Sequence, residues 1–142
     1  MSNDRLFSDT DVIFSYTRAD ALRDGVLIEL PSAKNWGFKV PVAITAGAYG
    51  RCIAWNEPDP KRDEILRLRE DMVLTCAMRE ARAHQRRMQA GKKERPDRID
   101  FQVETVVQTG EGVEVRKVDL YMLIGPGDQG EPVGTIMLIG ED

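Results

Sequence analysis

Gly125-Pro126-Gly127-Asp128-Gln129-Gly130-Glu131-Pro132-Val133-Gly134-Thr135-Ile136-Met137-Leu138-Ile139 is the stretch that decides the fold. Its first six residues have the G-x-G-x-x-G spacing of a dinucleotide-binding turn. Such a turn works only between a strand and a helix, because the helix N-terminus supplies the amides that hold the pyrophosphate. Leu120 to Ile124 reads as the entering strand, but the residues after the glycines read as a second strand, Val133 to Ile139. The acid wanted about 20 residues on to hold a ribose has no place before Asp142. The segment is therefore expected to be a hairpin loop, and no cofactor is expected.

Working outward, the C-terminal third reads as a β-meander. Phe101, Val103, Thr105 and Val107 alternate on one face, and Gly110-Glu111-Gly112 turns the chain. Val113 and Val115 then hold one phase of the alternation, while Val118, Leu120, Met122 and Ile124 hold the other. A period of two changes phase when one residue is inserted, which predicts a β-bulge near Arg116-Lys117. The last strand is apolar on both faces, as a central strand would be. Before the meander, Lys61 to Gln89 predicts a long helix. Ile65, Leu68, Met72 and Cys76 form its expected core stripe, flanked by Leu66, Val73 and Ala77. The apolar signal fades after Ala83, so the last two turns are expected to project from the body. Gly91 and Pro96 end the helix.

In the N-terminal half, residues 1–10 read as a flexible polar arm and Asp11 to Tyr16 as a short strand. Thr17 and Asp20 have the spacing of a capping box, and Gly25 supplies a left-handed stop. Val26 to Leu30 reads as a strand, Ser32 to Gly37 as one helical turn anchored by Trp36, and Phe38 to Val42 as extended chain. Thr45 caps a predicted helix from Ala46 to Trp55. Trp36, Trp55, Tyr16 and Tyr49 read as core or core-rim residues. The expected architecture is a single α+β domain over residues 1–142. A small N-terminal αβ portion precedes the long amphipathic helix, which packs on the C-terminal antiparallel meander.

At 142 residues, 42% hydrophobic and 31% charged, the chain can bury a core and does not have a disordered composition. No apolar run approaches the roughly 18 residues of a membrane span. The polar start leads into no signal core, so a cytoplasmic location is expected. Cys52 and Cys76 are expected to be buried, reduced thiols rather than a disulfide or zinc site.

Catalytic patterns are missing. No P-loop, His-Glu-x-x-His, Cys-x-x-Cys or Gly-x-Ser-x-Gly occurs. The one histidine, His84, has no serine or cysteine beside it in sequence and reads as an exposed helix residue, paired at most with Glu80 one turn away. The acidic pairs Asp9/Asp11, Asp63/Glu64, Glu70/Asp71 and Glu141/Asp142 read as solvated surface charge, since adjacent helix residues point apart. No metal site and no enzymatic activity are expected. A small transferase built on Tyr16, Thr17 and Arg18 is a lesser alternative.

Charge is divided. From Arg79 to Arg98 eight basic residues face three acidic ones, making that segment +5; the chain's −4 leaves −9 for the rest. Arg79, Arg82, Arg86, Arg87, Lys92, Lys93 and Arg95 are therefore the candidate interaction surface. Arg79, Arg82, Arg86 and Lys93 fall at three- or four-residue spacing or near it, which suits phosphates. Against nucleic acid stand a pI of about 5.1 and the lack of any aromatic residue between Trp55 and Phe101 on which a base could stack.

Three blocks appear together and in order: Tyr16 to Leu27, Val40 to Thr45, and Gly125-Pro126-Gly127-Asp128 through Gly130-Glu131-Pro132 to Thr135-Ile136-Met137-Leu138. In these the chain resembles a family of small uncharacterised bacterial proteins, a domain of unknown function carried on plasmids, phages and integrated elements. The resemblance implies no catalytic residues. It implies an accessory protein of a mobile genetic element. The leading expectation is a non-enzymatic, counter-defence protein of the anti-CRISPR or antirestriction type, acting by contact with a host or element-encoded protein. Nucleic-acid binding through residues 79–98 is the alternative.

Overall fold

The computed structural model of the chain describes residues 16–141. The expected arm at residues 1–10 lies outside the described residues, as does the expected strand from Asp11 except for Tyr16. Thr17 caps helix α1 (Arg18–Asp24) through the predicted box: its Oγ1 accepts from Asp20 N at 3.0 Å, and Thr17 N donates to Asp20 Oδ2 at 3.2 Å. These bonds hold the Asp20 carboxyl below its ordinary pKa. Gly25 ends α1 in the left-handed conformation, φ +79°. Strand β1 (Leu27–Glu29), a 3₁₀ helix (Pro31–Trp36) and strand β2 (Val42–Thr45) follow. The extended segment thus lies later than expected, because residues 38–41 turn into β2 rather than belong to it. Thr45 caps helix α2 (Ala46–Cys52) by accepting from Ala48 N at 3.2 Å. Helix α3 (Arg62–Gln89) precedes the strands β3 (Arg98–Thr109), β4 (Gly112–Pro126) and β5 (Pro132–Leu138).

The five strands form one mixed sheet in the order β1-β2-β5-β4-β3. The meander β3-β4-β5 is antiparallel as expected, and β5 is central. The small N-terminal αβ portion contributes its two strands to this sheet. They join it through β2, which runs parallel to β5. One apolar row crosses all five strands in register: Ile28, Ile44, Ile136, Met122 and Ile99. With Phe101, Val103, Val118 and Leu120 it forms the floor on which α2 and α3 pack.

The glycine loop is a hairpin between β4 and β5. Gly127 N donates to Glu131 O, and Gly130, at φ +81°, donates to Gly127 O. Asp128 turns to α1. Its two carboxylate oxygens accept from Arg18 N at 2.8 Å and Ala19 N at 3.0 Å, a favourable place for an acid.

Two expectations about the long elements are corrected. No bulge occurs at Arg116-Lys117; β3 pairs with β4 without a break from Arg98–Leu123 to Thr109–Gly112. The apolar phase changes there because the hairpin leaves the body, and both faces of β4 are exposed from Gly112 to Lys117. On α3 the core face is rotated from the expected stripe. Leu68 and Met72 are 65% and 52% exposed, while Val73, Leu74, Cys76, Ala77 and His84 are buried. Small side chains at Ala77 and Ala81 let the helix lie close to the sheet.

Cys52 and Cys76 are buried and unpaired. Burial pushes the Cys52 thiol up from 9.0 to about 11. The folded state then keeps its proton at pH values where the unfolded chain has released it. This contribution is fully present below pH 9 and is lost as pH rises towards 11. At pH 10 the loss should be about 1.4 kcal/mol. Urea titrations of wild type and Cys52→Ala at pH 8 and pH 10 check this, because only the wild type should carry that extra loss.

Candidate functional site

The basic residues divide between two faces of α3 and its following loop. Arg79, Arg82 and Arg86 are exposed and line a groove of about 670 Å³ together with Asn35, Trp36, Gly37, Thr75 and Met78. No carboxylate lines it, and none of the three arginines makes an ion pair with a described residue. Arg79 donates only to Cys76 Sγ, at 3.6 Å. Successive helix residues rise 1.5 Å, so the three guanidinium stems are spread over about 10 Å of the axis.

Trp36 reaches this groove from the 3₁₀ helix, and two helix carboxylates fix it there. Its Nε1 donates to Asp71 Oδ1 at 3.3 Å, and Ser32 Oγ donates to Glu70 Oε2. Glu70 and Asp71 are thus half-buried ties between two elements, which corrects their reading as solvated charge. Gly37 follows Trp36 at φ +97°, a conformation side chains rarely adopt. A Cβ there would lie 3.5 Å from Arg82 Nη2, so that guanidinium rests against the turn beside the indole. The sequence marked the arginines by their spacing. It did not mark Trp36 as their neighbour, because some 40 residues separate them and the docking is tertiary.

The other basic residues are engaged elsewhere. Arg87 bonds to Glu94 at 2.9 Å and faces Glu80 at 3.9 Å. Arg95 pairs with Asp97 at 2.9 Å, which holds that carboxyl below its ordinary pKa. Lys93 lies with these around a shallow polar hollow that includes His84, Arg98 and Asp100. Lys92 is exposed and lines neither hollow.

His84 is corrected on two counts. It is 6% exposed rather than a surface residue. Its Nε2 bonds to the backbone carbonyl of Arg95 at 2.7 Å, and no bond to Glu80 forms. The loop after α3 therefore folds back on the helix at His84 and Arg87, while Gln85, Arg86, Met88 and Gln89 in the last turns stay exposed.

The lesser catalytic grouping is dispersed. Thr17 caps α1, and Tyr16 donates to Asp24 Oδ2 at 2.8 Å. Arg18 turns onto β5, donating to Thr135 Oγ1 at 2.7 Å and Gly134 O at 2.9 Å. Burial lowers its pKa. Among the described residues, no three His, Cys, Asp or Glu converge as a metal site, and no helix is long and apolar enough to cross a membrane.

All of residues 1–142 match a family of unknown function, DUF6573. The chain belongs to DUF6573. No curated protein and no solved structure matches it. In this DUF6573 chain, three arginines without an ion pair among the described residues lie beside a fixed indole.

Proposed function

We propose that the protein is a non-enzymatic nucleic-acid-binding protein whose phosphate contacts are Arg79, Arg82 and Arg86. The observation that carries this reading is the groove itself, with three uncompensated guanidinium groups in a row and no carboxylate among its lining. Arginine forks suit phosphate oxygens. The net charge of −4 does not by itself oppose this, because no carboxylate lines the groove and the one held against its Trp36 wall, Asp71, is engaged by the indole N–H. Titrating a labelled 20-mer at about 50 mM salt should show binding that weakens as salt rises. Changing Arg79, Arg82 and Arg86 together to glutamine should flatten the salt slope by about 2. The same exchange at Arg87 and Arg95, which are paired within the protein, should change it little. Absence of salt-sensitive binding by the wild type would sink the reading.

A second reading has its own observation. Leu68, Met72, Val106 and Val115 are exposed apolar side chains gathered beside the free edge of β3, as a protein contact would use. On this reading the protein is an accessory factor of a plasmid, phage or integrated element. It would act in the cytoplasm by binding a host or element-encoded complex, in the manner of counter-defence inhibitors. The support is that patch together with the resemblance to mobile-element proteins. Leu68→Glu with Val115→Glu should then abolish recovery of a stoichiometric partner from host lysate.

A further inference from the structure

We infer that the arginine groove takes unpaired nucleotides, with one base lying on the indole of Trp36. The inference rests on the nucleic-acid reading above and narrows it to single strands. A duplex presents phosphates and groove edges, while its base faces are covered by their neighbours in the stack. An aromatic side chain beside a phosphate-binding row gains from a base only when that base is unstacked.

Three features give the groove this character. The indole is oriented before any ligand arrives, since its Nε1 is engaged by Asp71. The guanidinium of Arg82 rests against Gly37, the next residue in the chain, so a phosphate contact and a stacking surface are adjacent. Asn35 and Thr75 add hydrogen-bonding groups along the same wall. The Thr75 hydroxyl donates its proton to Asp71 O at 2.7 Å, leaving its oxygen as an acceptor. The volume of about 670 Å³ is that of a nucleotide-sized ligand site rather than a single ion contact. Nothing in the groove distinguishes ribose from deoxyribose, so the shared chemistry is a single-stranded polynucleotide.

The chain has two tryptophans. Trp55 sits outside the groove and its Nε1 has no hydrogen-bond partner among the described residues, so Trp55→Phe removes no hydrogen bond seen there and leaves Trp36 as the sole indole emitter. Titrating that variant with oligo(dT), oligo(U) and a duplex of equal length should quench Trp36 with either single strand and not with the duplex. A preference between the two single strands assigns the sugar. Trp36→Ala should weaken single-strand binding about 10- to 100-fold, and Trp36→Phe should restore most of it. The quenching arm leaves Trp36 in place, so it stands even if Trp36→Ala does not fold. Equal binding of duplex and single strand, with no quenching, overturns this inference. If that binding is still lost on changing the three arginines, the broader nucleic-acid reading survives. No binding of any of the three probes overturns both.

Discussion

Replacing Ile136 by alanine should lower the unfolding free energy by about 4 kcal/mol. Ile136 is fully buried on the central strand. It pairs with Ile44 on one side and Met122 on the other, at the midpoint of the apolar row that crosses the sheet. A cavity there is walled by strands fixed on both sides and by the helices above, so it closes poorly. The variant should also unfold in one step. Both tryptophans lie in the N-terminal half, whereas most of the sheet is C-terminal. Tryptophan emission and far-UV circular dichroism should therefore give the same urea midpoint. Separated midpoints would mean that the N-terminal strands are an independent unit and that the parallel β2–β5 seam does not join them into one core.

Arg69→Ala should lose about 3 kcal/mol, the next largest effect. From one turn of α3, the Arg69 side chain donates to Ile53 O and to Val106 O, each at 2.8 Å, and lies 5.3 Å from the ring centre of Trp55. It therefore ties the helix to the segment before it and to the free edge of β3. Half-burial lowers its pKa, but a guanidinium remains charged at neutral pH. Alanine would leave the part-buried Ile53 carbonyl without its donor, hand the exposed Val106 carbonyl to solvent and remove the cation–π contact. Lysine carries one ammonium in place of a fork and cannot reproduce both diverging bonds, so Arg69→Lys should recover less than half of the loss. Urea denaturation of the three proteins decides this; a loss below about 1 kcal/mol for alanine would show that solvent replaces these contacts without penalty.

What could be read from the sequence was local. Thr17, Asp20 and Gly25 announce α1 because capping involves neighbours only, and Gly125 to Gly130 announces a hairpin because the residues on both sides of it read as strands. The extent of α3 followed from its period and its breakers. Its rotation does not follow from them, because the large apolar side chains of Leu68 and Met72 face outward. Leu68 and Met72 belong to the expected stripe but lie beside β3 with their side chains exposed, whereas the buried line runs through Val73, Leu74, Ala77 and His84. Alanine carries little apolar signal, and the same line, followed to its end, leads to the buried histidine. At Arg116-Lys117 the pattern recorded the end of burial, which mimics a backbone insertion. The β2–β5 pairing joins residues some 90 positions apart and leaves no local trace. The arginine row was legible from its spacing, but the indole beside it depends on Ser32–Glu70 and Trp36–Asp71, two contacts between separate elements.

The overhang of the β3–β4 hairpin gives one pair of strands two different clocks. Near Phe101 and Leu120 the ladder lies under α3, and its amide protons should trade with solvent deuterium only when the whole domain opens. Near Thr109 and Gly112 neither strand is covered, so those protons should exchange through fraying that leaves the core intact. The free tip can therefore reshape against another surface without drawing on the stability of the domain that carries it.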